Sequence, residues 1–287
     1  MKILITGGEG QLGRTFRDLL RPAHEVEAPA RERLDVTDAR AAERVVRRFV
    51  PDLVLHCAAF TGVDGAESAR REAFRVNVRG TAHLLAAARA VGATTALFST
   101  DQLFAADTAD PIPESAPPDP PNHYGWTKCV AEGVGRRYAS MGGDLLIVRT
   151  SWVWGGADSF PLRIARLARE GEALSVVDDV VSRPTWVGGL ADRTMRLLEA
   201  GVRGTVHIAD SGTASKFDIT RATLEILGIE CAIERISAAE WGAPARRGAY
   251  SVLSLDRMEE TLGHPARHWR EMMHEELPPA VARGKTP

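Results

Sequence analysis

Residues 2–13 read Lys2-Ile3-Leu4-Ile5-Thr6-Gly7-Gly8-Glu9-Gly10-Gln11-Leu12-Gly13. The first five form an apolar run of strand length, and an apolar pattern with helical spacing follows from Leu12 to Leu20. A strand, a glycine-rich turn and a helix in this order can bind a pyrophosphate, because backbone N–H groups and the helix N-terminus face the anion. We therefore predict a dinucleotide-binding turn, with a tight turn that binds nothing as the alternative. The residues concerned are Gly7, Gly10, Gln11, Leu12 and Gly13.

Further apolar runs of strand length alternate with helical patterns as far as residue 155. The strand patterns cover 25–28, 51–56, 94–98 and 145–149. This alternation predicts an α/β fold built on a doubly wound parallel sheet of the Rossmann type. Beyond residue 155 the alternation loosens, which indicates a smaller, interleaved C-terminal substrate-binding lobe. We assign 1–155 and about 186–210 to an NAD(P)-binding domain, and about 156–185 and 211–287 to the lobe.

Composition excludes several classes of protein. The 287 residues are 44% hydrophobic and 26% charged, with a net charge of -2. This balance offers no basic field for nucleic acid and no polybasic membrane patch. Three scattered cysteines argue for a reducing compartment and against a zinc site, and the histidines at 264, 268 and 274 lack the spacing of metal ligands. We expect a cytoplasmic protein without a metal; the sequence leaves a homodimer open.

The second strand pattern bears on cofactor choice. An NAD enzyme usually has an acidic residue after this strand for the ribose hydroxyls, whereas this chain has Arg31 and Arg33. Arginine suits a 2′-phosphate, so NADP is favoured over NAD, although both arginines could simply be solvated. Asp35 is a plausible neighbour of the adenine ring, and Val36 is grouped with it as cofactor-binding.

Small and polar residues follow the third and fourth strand patterns. Ala58 and Ala59 come after 51–56, where small side chains would let a flat ligand lie against the backbone. His56, which closes that strand, is interpreted as a hydrogen-bonded packing residue. Asn77 stands in the middle of a predicted long helix, 66–91, and is either a surface accident or the partner of a neighbouring loop.

Tyr124 and Lys128 are four residues apart, on one face of a helix that Asn122 can cap. Lys128 is one of only four lysines among 36 basic residues, the others being Lys2, Lys216 and Lys285. An ammonium beside a phenol favours the phenolate, so we expect Lys128 to lower the pKa of Tyr124 from about 10 toward working pH. The alternative is a surface pair without chemistry. A hydroxyl at the end of the fourth strand pattern could meet the phenol over one substrate carbonyl.

These motifs together resemble an extended short-chain dehydrogenase/reductase. Finer matches resemble the dTDP-4-dehydrorhamnose reductase family over residues 1 to about 275. They comprise 58–67, 99–104, 124–128, 149–153, 183–185 and 250–253.

The resemblance implies roles for individual residues. Thr100, Tyr124 and Lys128 match the catalytic threonine, tyrosine and lysine of the family. Hydride would pass from the nicotinamide to the C4 carbonyl of a nucleotide-linked 4-keto-6-deoxy sugar while Tyr124 protonates the oxygen. Lys128 would also bind the nicotinamide ribose, so that Tyr124 and Lys128 count among the cofactor-binding residues as well. Substrate-binding positions are Thr61, Thr100, Asp101, Gln102, Trp152 and Arg247, with Arg247 near the diphosphate.

The departures from the family pattern cluster at substrate-facing positions. Gln102 stands where the family usually has tyrosine, and 179–185 lacks a glutamine and a glycine of the usual motif. An altered sugar is therefore predicted. A nucleotide-sugar dehydratase or epimerase is one alternative, although Gln102 cannot serve as the acid that dehydratases carry there. A regulatory subunit that binds a dinucleotide without turnover is the other.

Overall fold

The computed structural model describes residues 1–105 and 110–283, and of Arg283 only the backbone. The sequence, rich in Pro, Asp and Ala, also predicts a surface loop over 105–122. Residues 106–109 of that loop and residues 284–287 of the predicted lobe lie outside the described ranges. The strands are β1 (Lys2–Thr6), β2 (Glu25–Glu27), β3 (Leu53–His56), β4 (Thr94–Thr100), β5 (Leu145–Thr150), β6 (Val153–Trp154), β7 (Leu174–Val177), β8 (Val181–Ser182), β9 (Thr185–Trp186), β10 (Gly204–His207), β11 (Ala214–Ser215) and β12 (Ile233–Ile236).

The α-helices are α1 (Gln11–Leu20), α2 (Ala39–Phe49), α3 (Val63–Ser68), α4 (Arg70–Phe74), α5 (Thr81–Val91), α6 (His123–Ser140), α7 (Phe160–Arg169), α8 (Val187–Glu199), α9 (Lys216–Leu227), α10 (Ala238–Trp241), α11 (Asp256–Leu262) and α12 (Trp269–Arg283). A π-helix, Arg75–Gly80, joins α4 to α5, and a 3₁₀ turn, Asp101–Leu103, follows β4. Within the described ranges, no helix is both long and apolar enough to cross a membrane.

Six parallel strands form the central sheet in the order β10-β5-β4-β3-β1-β2. The prediction of a parallel α/β sheet is confirmed. From β1 the chain moves to one side for β2 and to the other side for β3, so the strand order reverses between β1 and β3. In open parallel sheets, ligands bind at this point, outside the carboxyl ends of the strands.

Alternating side chains of the strands build two cores. Ile3 and Ile5 face one side with Phe16 of α1 and Leu190 of α8. Leu4 and the other side chains on the opposite face of the sheet pack against α2 and α5. Apolar residues buried on both faces explain why the strand patterns are nearly continuous runs rather than alternations.

A separate set of apolar clusters joins α7, α9 and α12, with the parallel pair β7 and β12 at one side. Met258 of α11, in contrast, packs in the core of the main sheet. The division of the chain into two domains at the stated boundaries stays a prediction.

The single long helix predicted for 66–91 is wrong. The segment begins earlier, at Val63, and Ala69 interrupts it with φ -100° and ψ 40°. Residues 75–80 then form a π-helix rather than an α-helix. π-helical turns are rare and frequently occur at functional sites, because they change which side chains face a neighbouring segment. Here the turn contains Asn77.

Two glycines of α6 provide a test of how closely this helix approaches the 3₁₀ turn after β4. A Cβ on Gly125 would overlap the carbonyl oxygen of Gln102, whereas one on Gly133 would meet nothing within 4 Å. We expect Gly125→Ala to lower the free energy of unfolding by about 1–3 kcal/mol, because the helix must move. Gly133→Ala should raise it by about 1 kcal/mol, because alanine favours a helix. Urea denaturation measures both; equal stabilities would contradict the close approach.

Candidate active site

The glycine-rich turn lies against the end of β3. Gly7 has φ +64°, and a Cβ there would come within 2.8 Å of the Ala58 Cα, while a Cβ on Gly13 would overlap the Gly7 carbonyl oxygen. Gly10 precedes α1 without a side-chain cap, so the first N–H groups of the helix remain available to an anion. The Nε2 of Gln11 is buried and has no hydrogen-bond partner among the described residues. This geometry fits a dinucleotide pyrophosphate.

A chain of hydrogen bonds ties β1, β3 and α5 together beneath the turn. The Ala58 N–H donates to the Thr6 hydroxyl at 3.1 Å, and that hydroxyl lies 2.8 Å from Nδ1 of His56. The Nε2 of His56 lies 3.1 Å from the Thr81 hydroxyl, which donates to the Asn77 carbonyl at 2.6 Å. Since Thr81 donates elsewhere, it must accept from Nε2, and neutral His56 with its proton on Nε2 satisfies every group.

Burial lowers the pKa of His56 to about 3, and the charge of Lys128 acts in the same direction. The interpretation of His56 as a hydrogen-bonded packing residue is therefore confirmed.

Near the end of β2, acidic and basic side chains are already paired. Glu27 accepts hydrogen bonds from Arg33 and from Arg48. Exposed Arg31 lies 3.6 Å from Asp35 and 3.7 Å from Glu72. Burial acts to raise the pKa of Asp35, but the Thr37 N–H and Arg31 outweigh it and lower that pKa. Val36 is buried, and its carbonyl accepts from Nδ1 of His83 at 3.1 Å.

Tyr124 and Thr100 meet at the carboxyl edge of the sheet. Tyr124 lies in the first turn of α6, which Asn122 caps by accepting the Gly125 N–H at 2.8 Å. Burial raises the pKa of Tyr124 to about 12, Asp101 adds to this, and a hydrogen bond with Thr100 opposes it. The expectation that this phenol has a lowered pKa is wrong, because loss of hydration outweighs any favourable charge.

Lys128 is buried and lies one helical turn after Tyr124 in α6. Its ammonium donates to the carbonyl of Phe98 in β4 at 2.5 Å. Burial lowers its pKa to about 8, while the carboxylate of Glu132, one turn further along α6, acts to raise it. Glu132 is itself held by Arg149 in two hydrogen bonds of 2.9 and 2.8 Å.

Asp101 has a buried carboxylate that accepts hydrogen bonds from hydroxyl groups of three segments. Thr100 donates to one oxygen at 3.2 Å, and Ser182 and Ser251 donate to the other at 2.9 and 2.8 Å. Burial raises the pKa of Asp101 despite these hydrogen bonds. Ser182 and Ser251 were not identified from the sequence, since they are distant from residue 101 along the chain.

Gln102 is buried beside the entrance to α6. The side-chain amide of Asn122 donates to the Gln102 side-chain oxygen at 3.0 Å and to the Arg246 carbonyl at 2.8 Å. The orientation of Gln102 is therefore fixed by its neighbour.

Asn77 binds both polar backbone groups of Phe60. Its side chain accepts the Phe60 N–H at 2.8 Å and donates to the Phe60 carbonyl at 3.1 Å and to the Thr127 hydroxyl at 2.9 Å. Of the two interpretations of Asn77, the hydrogen bond to a neighbouring loop is confirmed. The residue fixes the loop after β3 relative to the helix that carries Tyr124.

The other predicted substrate residues have varied surroundings. Trp152 has φ +39°, which is unusual for a bulky side chain and indicates a constrained corner. Arg247 forms two hydrogen bonds, of 2.9 and 3.0 Å, with the carboxylate of Asp64. Thr61 is exposed.

One cation of this region was missed in the sequence. The ammonium of Lys216 lies 3.8 Å from the ring centre of Trp152 and 4.6 Å from that of Phe160. The scarcity of lysine that drew attention to Lys128 applies equally to Lys216 and could have identified it.

Comparisons with known proteins match this chain over nearly its whole length. The family described as RmlD substrate binding domain matches residues 1–280. A dTDP-4-dehydrorhamnose reductase of Streptomyces griseus is 36% identical over 99% of this chain and 95% of its own length. A dTDP-4-keto-6-deoxy-D-glucose reductase of Streptomyces niveus is 33% identical over 96% of each. The crystal structure of Bacillus anthracis dTDP-4-dehydrorhamnose reductase in complex with NADP superposes with a TM-score of 0.92 at 30% identity, covering 97% of this chain and 99% of that one.

The neutral state of His56 predicts a loss of stability in acid. Its pKa is about 3 in the folded protein and about 6.5 when unfolded, so the unfolded chain binds the proton more tightly and acidification favours unfolding. Between pH 6 and pH 4, His56→Gln should reduce the fall in unfolding free energy by about 1.4 kcal/mol per pH unit. Denaturant titrations at several pH values measure this slope. Exposed His274 provides the control: His274→Gln should keep the wild-type slope, and an unchanged slope in His56→Gln would contradict the assignment.

Proposed function

The chain belongs to the dTDP-4-dehydrorhamnose reductase family, and on this premise we propose that it reduces the C4 keto group of a dTDP-linked 4-keto-6-deoxy sugar with NADPH, in deoxysugar biosynthesis. The observation that carries the proposal is the buried Tyr124 phenol at the carboxyl edge of the sheet, where Thr100 lies close enough to act on its pKa, beside a glycine-rich turn. This arrangement supplies a proton donor next to a dinucleotide site.

The cofactor, when bound, supplies the hydride that reduces the substrate carbon. Gly7, Gly10 and Gly13 would hold its pyrophosphate, together with Gln11 and Leu12 at the start of α1. Ala58 and Ala59 would line the flat part of the site, and Asp35 and Val36 would lie near the adenine. The close approach of the Gly7 turn to Ala58 supports this assignment, because a side chain on that glycine would collide with the backbone after β3.

Tyr124 is the proposed general acid. Its raised pKa keeps the phenol protonated at neutral pH, which is the form needed to give a proton to the developing alkoxide. As negative charge grows on the substrate oxygen, transfer from the phenol becomes favourable.

Thr100 and Lys128 position the acid and its substrate. The Thr100 hydroxyl, which already contacts Asp101, would orient the carbonyl oxygen against Tyr124. The Lys128 ammonium, fixed on the Phe98 carbonyl, would bind the nicotinamide ribose and stabilise the phenolate after proton transfer. Its pKa of about 8 leaves it mostly charged at neutral pH.

Substrate choice is proposed to depend on Gln102 and Trp152, with Thr61, Asp101 and Arg247 around them. Gln102 cannot ionise, which disfavours the dehydratase alternative because elimination of water needs an acid near this position. The regulatory-subunit alternative does not require Thr100, Tyr124 and Lys128 together, whereas reduction does. A cytoplasmic location and a homodimer stay predictions.

Tyr124→Phe tests the assigned acid. The change removes one hydroxyl, so we expect NADPH oxidation with dTDP-4-dehydrorhamnose to fall at least about 100-fold, the usual contribution of a positioned acid. Absorbance at 340 nm measures turnover, and quenching of protein fluorescence measures NADPH binding, which should persist. Wild-type protein that binds NADPH but oxidises none of it with any dTDP-4-keto sugar would favour the regulatory alternative.

The variant Arg31→Ala tests whether Arg31 gives the protein a preference for NADPH over NADH. Losing a charge-assisted contact to the 2′-phosphate should raise the KM for NADPH about tenfold. The KM for NADH should stay unchanged in Arg31→Ala because NADH lacks that phosphate. Arg137→Ala, at an exposed position late in α6, is the matched control. Equal effects on both cofactors would contradict the assignment, and Arg33→Ala would then be the next variant to measure.

A further inference from the structure

Lys216 begins α9 and faces two aromatic rings. Its ammonium lies over Trp152 at 3.8 Å and over Phe160 at 4.6 Å from the ring centres, so both rings contact the cation. In the described part of the chain, no oxygen atom forms a hydrogen bond or ion pair with this ammonium. Its N–H groups are free to donate to a ligand, and Trp152 is one of the residues proposed to line the substrate pocket.

The carboxylates nearest to Lys216 along the chain are engaged elsewhere. Asp218 and Asp178 both accept from the Ser215 hydroxyl, at 3.1 and 2.6 Å. Asp178 also pairs with Arg235 at 2.9 Å. These contacts fix the start of α9, and neither carboxylate forms an ion pair with Lys216.

Charges from other elements surround the ammonium. Asp101, at the end of β4, attracts it, while Arg163 of α7 and Arg247 of the segment before residue 250 repel it. Arg247 is partly neutralised by Asp64, and Arg163 lies over the Phe160 ring at 5.8 Å. Because Lys216, Arg163 and Arg247 act on one another as like charges, an added anion would stabilise them.

We propose that Lys216 is a substrate-binding residue whose ammonium binds the diphosphate of the nucleotide sugar. The inference rests on the proposed function, since the diphosphate is the part of such a substrate that carries negative charge. Trp152 and Phe160 hold the ammonium through the ring faces, which occupy none of its hydrogen-bond donors. The binding energy would therefore depend on the charge of residue 216.

A pH dependence of affinity follows. Burial lowers the pKa of Lys216 to about 7, with Arg163 and Arg247 acting in the same direction and Asp101 opposing them. Only the ammonium form binds the anion, so affinity should be full below pH 7 and decline as the pH rises above it. Arginine at the same position would keep its charge throughout this range.

The test measures calorimetric dissociation constants for dTDP-glucose, a stable nucleotide sugar without a keto group, at pH 6.5 and pH 8.5. Its diphosphate is fully ionised across this range. At pH 6.5, Lys216→Met should weaken binding about tenfold, the equivalent of one charge-assisted hydrogen bond. The wild type should weaken toward the Lys216→Met value at pH 8.5, whereas Lys216→Arg should keep its affinity at both pH values.

Lys2→Met is the matched control, because Lys2 also lies over an aromatic ring, 5.3 Å from the centre of Phe49. Lys2 begins β1, at the end of the strand away from the glycine-rich turn and the site. This variant should bind like the wild type. Wild-type affinity in Lys216→Met at pH 6.5 would overturn the proposal, and so would a wild-type pH dependence in Lys216→Arg. Wild-type turnover of dTDP-4-dehydrorhamnose is measured separately: turnover with unchanged Lys216→Met affinity refutes only this inference, whereas absent turnover and absent dTDP-glucose binding refute the proposed function.

Discussion

The buried carboxylate of Asp101 is the constraint on which the geometry of the site depends. A charge without hydration is costly unless hydrogen bonds replace the lost water, and here Thr100, Ser182 and Ser251 supply them. These donors come from the end of β4, from β8 and from the segment after residue 250. One side chain therefore fixes the distance between the sheet edge that bears Thr100 and the segments that close over it. The same requirement explains why residues 182 and 251 are serines: a small residue without a hydroxyl could not donate to Asp101.

Burial rather than pairwise attraction also governs the pKa of Tyr124, the proposed general acid. Proximity to Lys128 in sequence favours a phenolate, yet the ammonium is committed to the Phe98 carbonyl and is itself poorly hydrated. Tyr124 consequently stays protonated. For reduction of a ketone this is the useful form, because the group must deliver a proton at the moment that charge develops on oxygen.

The features that could be predicted from sequence are those fixed by local spacing. The turn after β1 needs Gly7 and Gly13 for close backbone approach. Asn122 caps α6 by accepting the N–H of Gly125, only three residues further along the chain. The predictions that failed concern features that depend on residues distant in the sequence. Asn77 lies in a π-helix and reaches Phe60, and no local pattern in 66–91 indicates either feature. The predicted shift in the pKa of Tyr124 had the wrong sign for the same reason, since the degree of burial depends on the whole fold.

Lysine is scarce in this chain, with four among 36 basic residues, and two of the four lie at the site. Lys128 and Lys216 differ from the arginines around them in one physical respect: burial can bring an ammonium close to neutrality at working pH, whereas a guanidinium stays charged. Both have lowered pKa values, of about 8 and about 7. A weakly held proton makes each cation responsive to an arriving negative charge, the phenolate for Lys128 and the diphosphate for Lys216. Substrate binding and proton transfer would then each strengthen a charge that the free protein holds only partly.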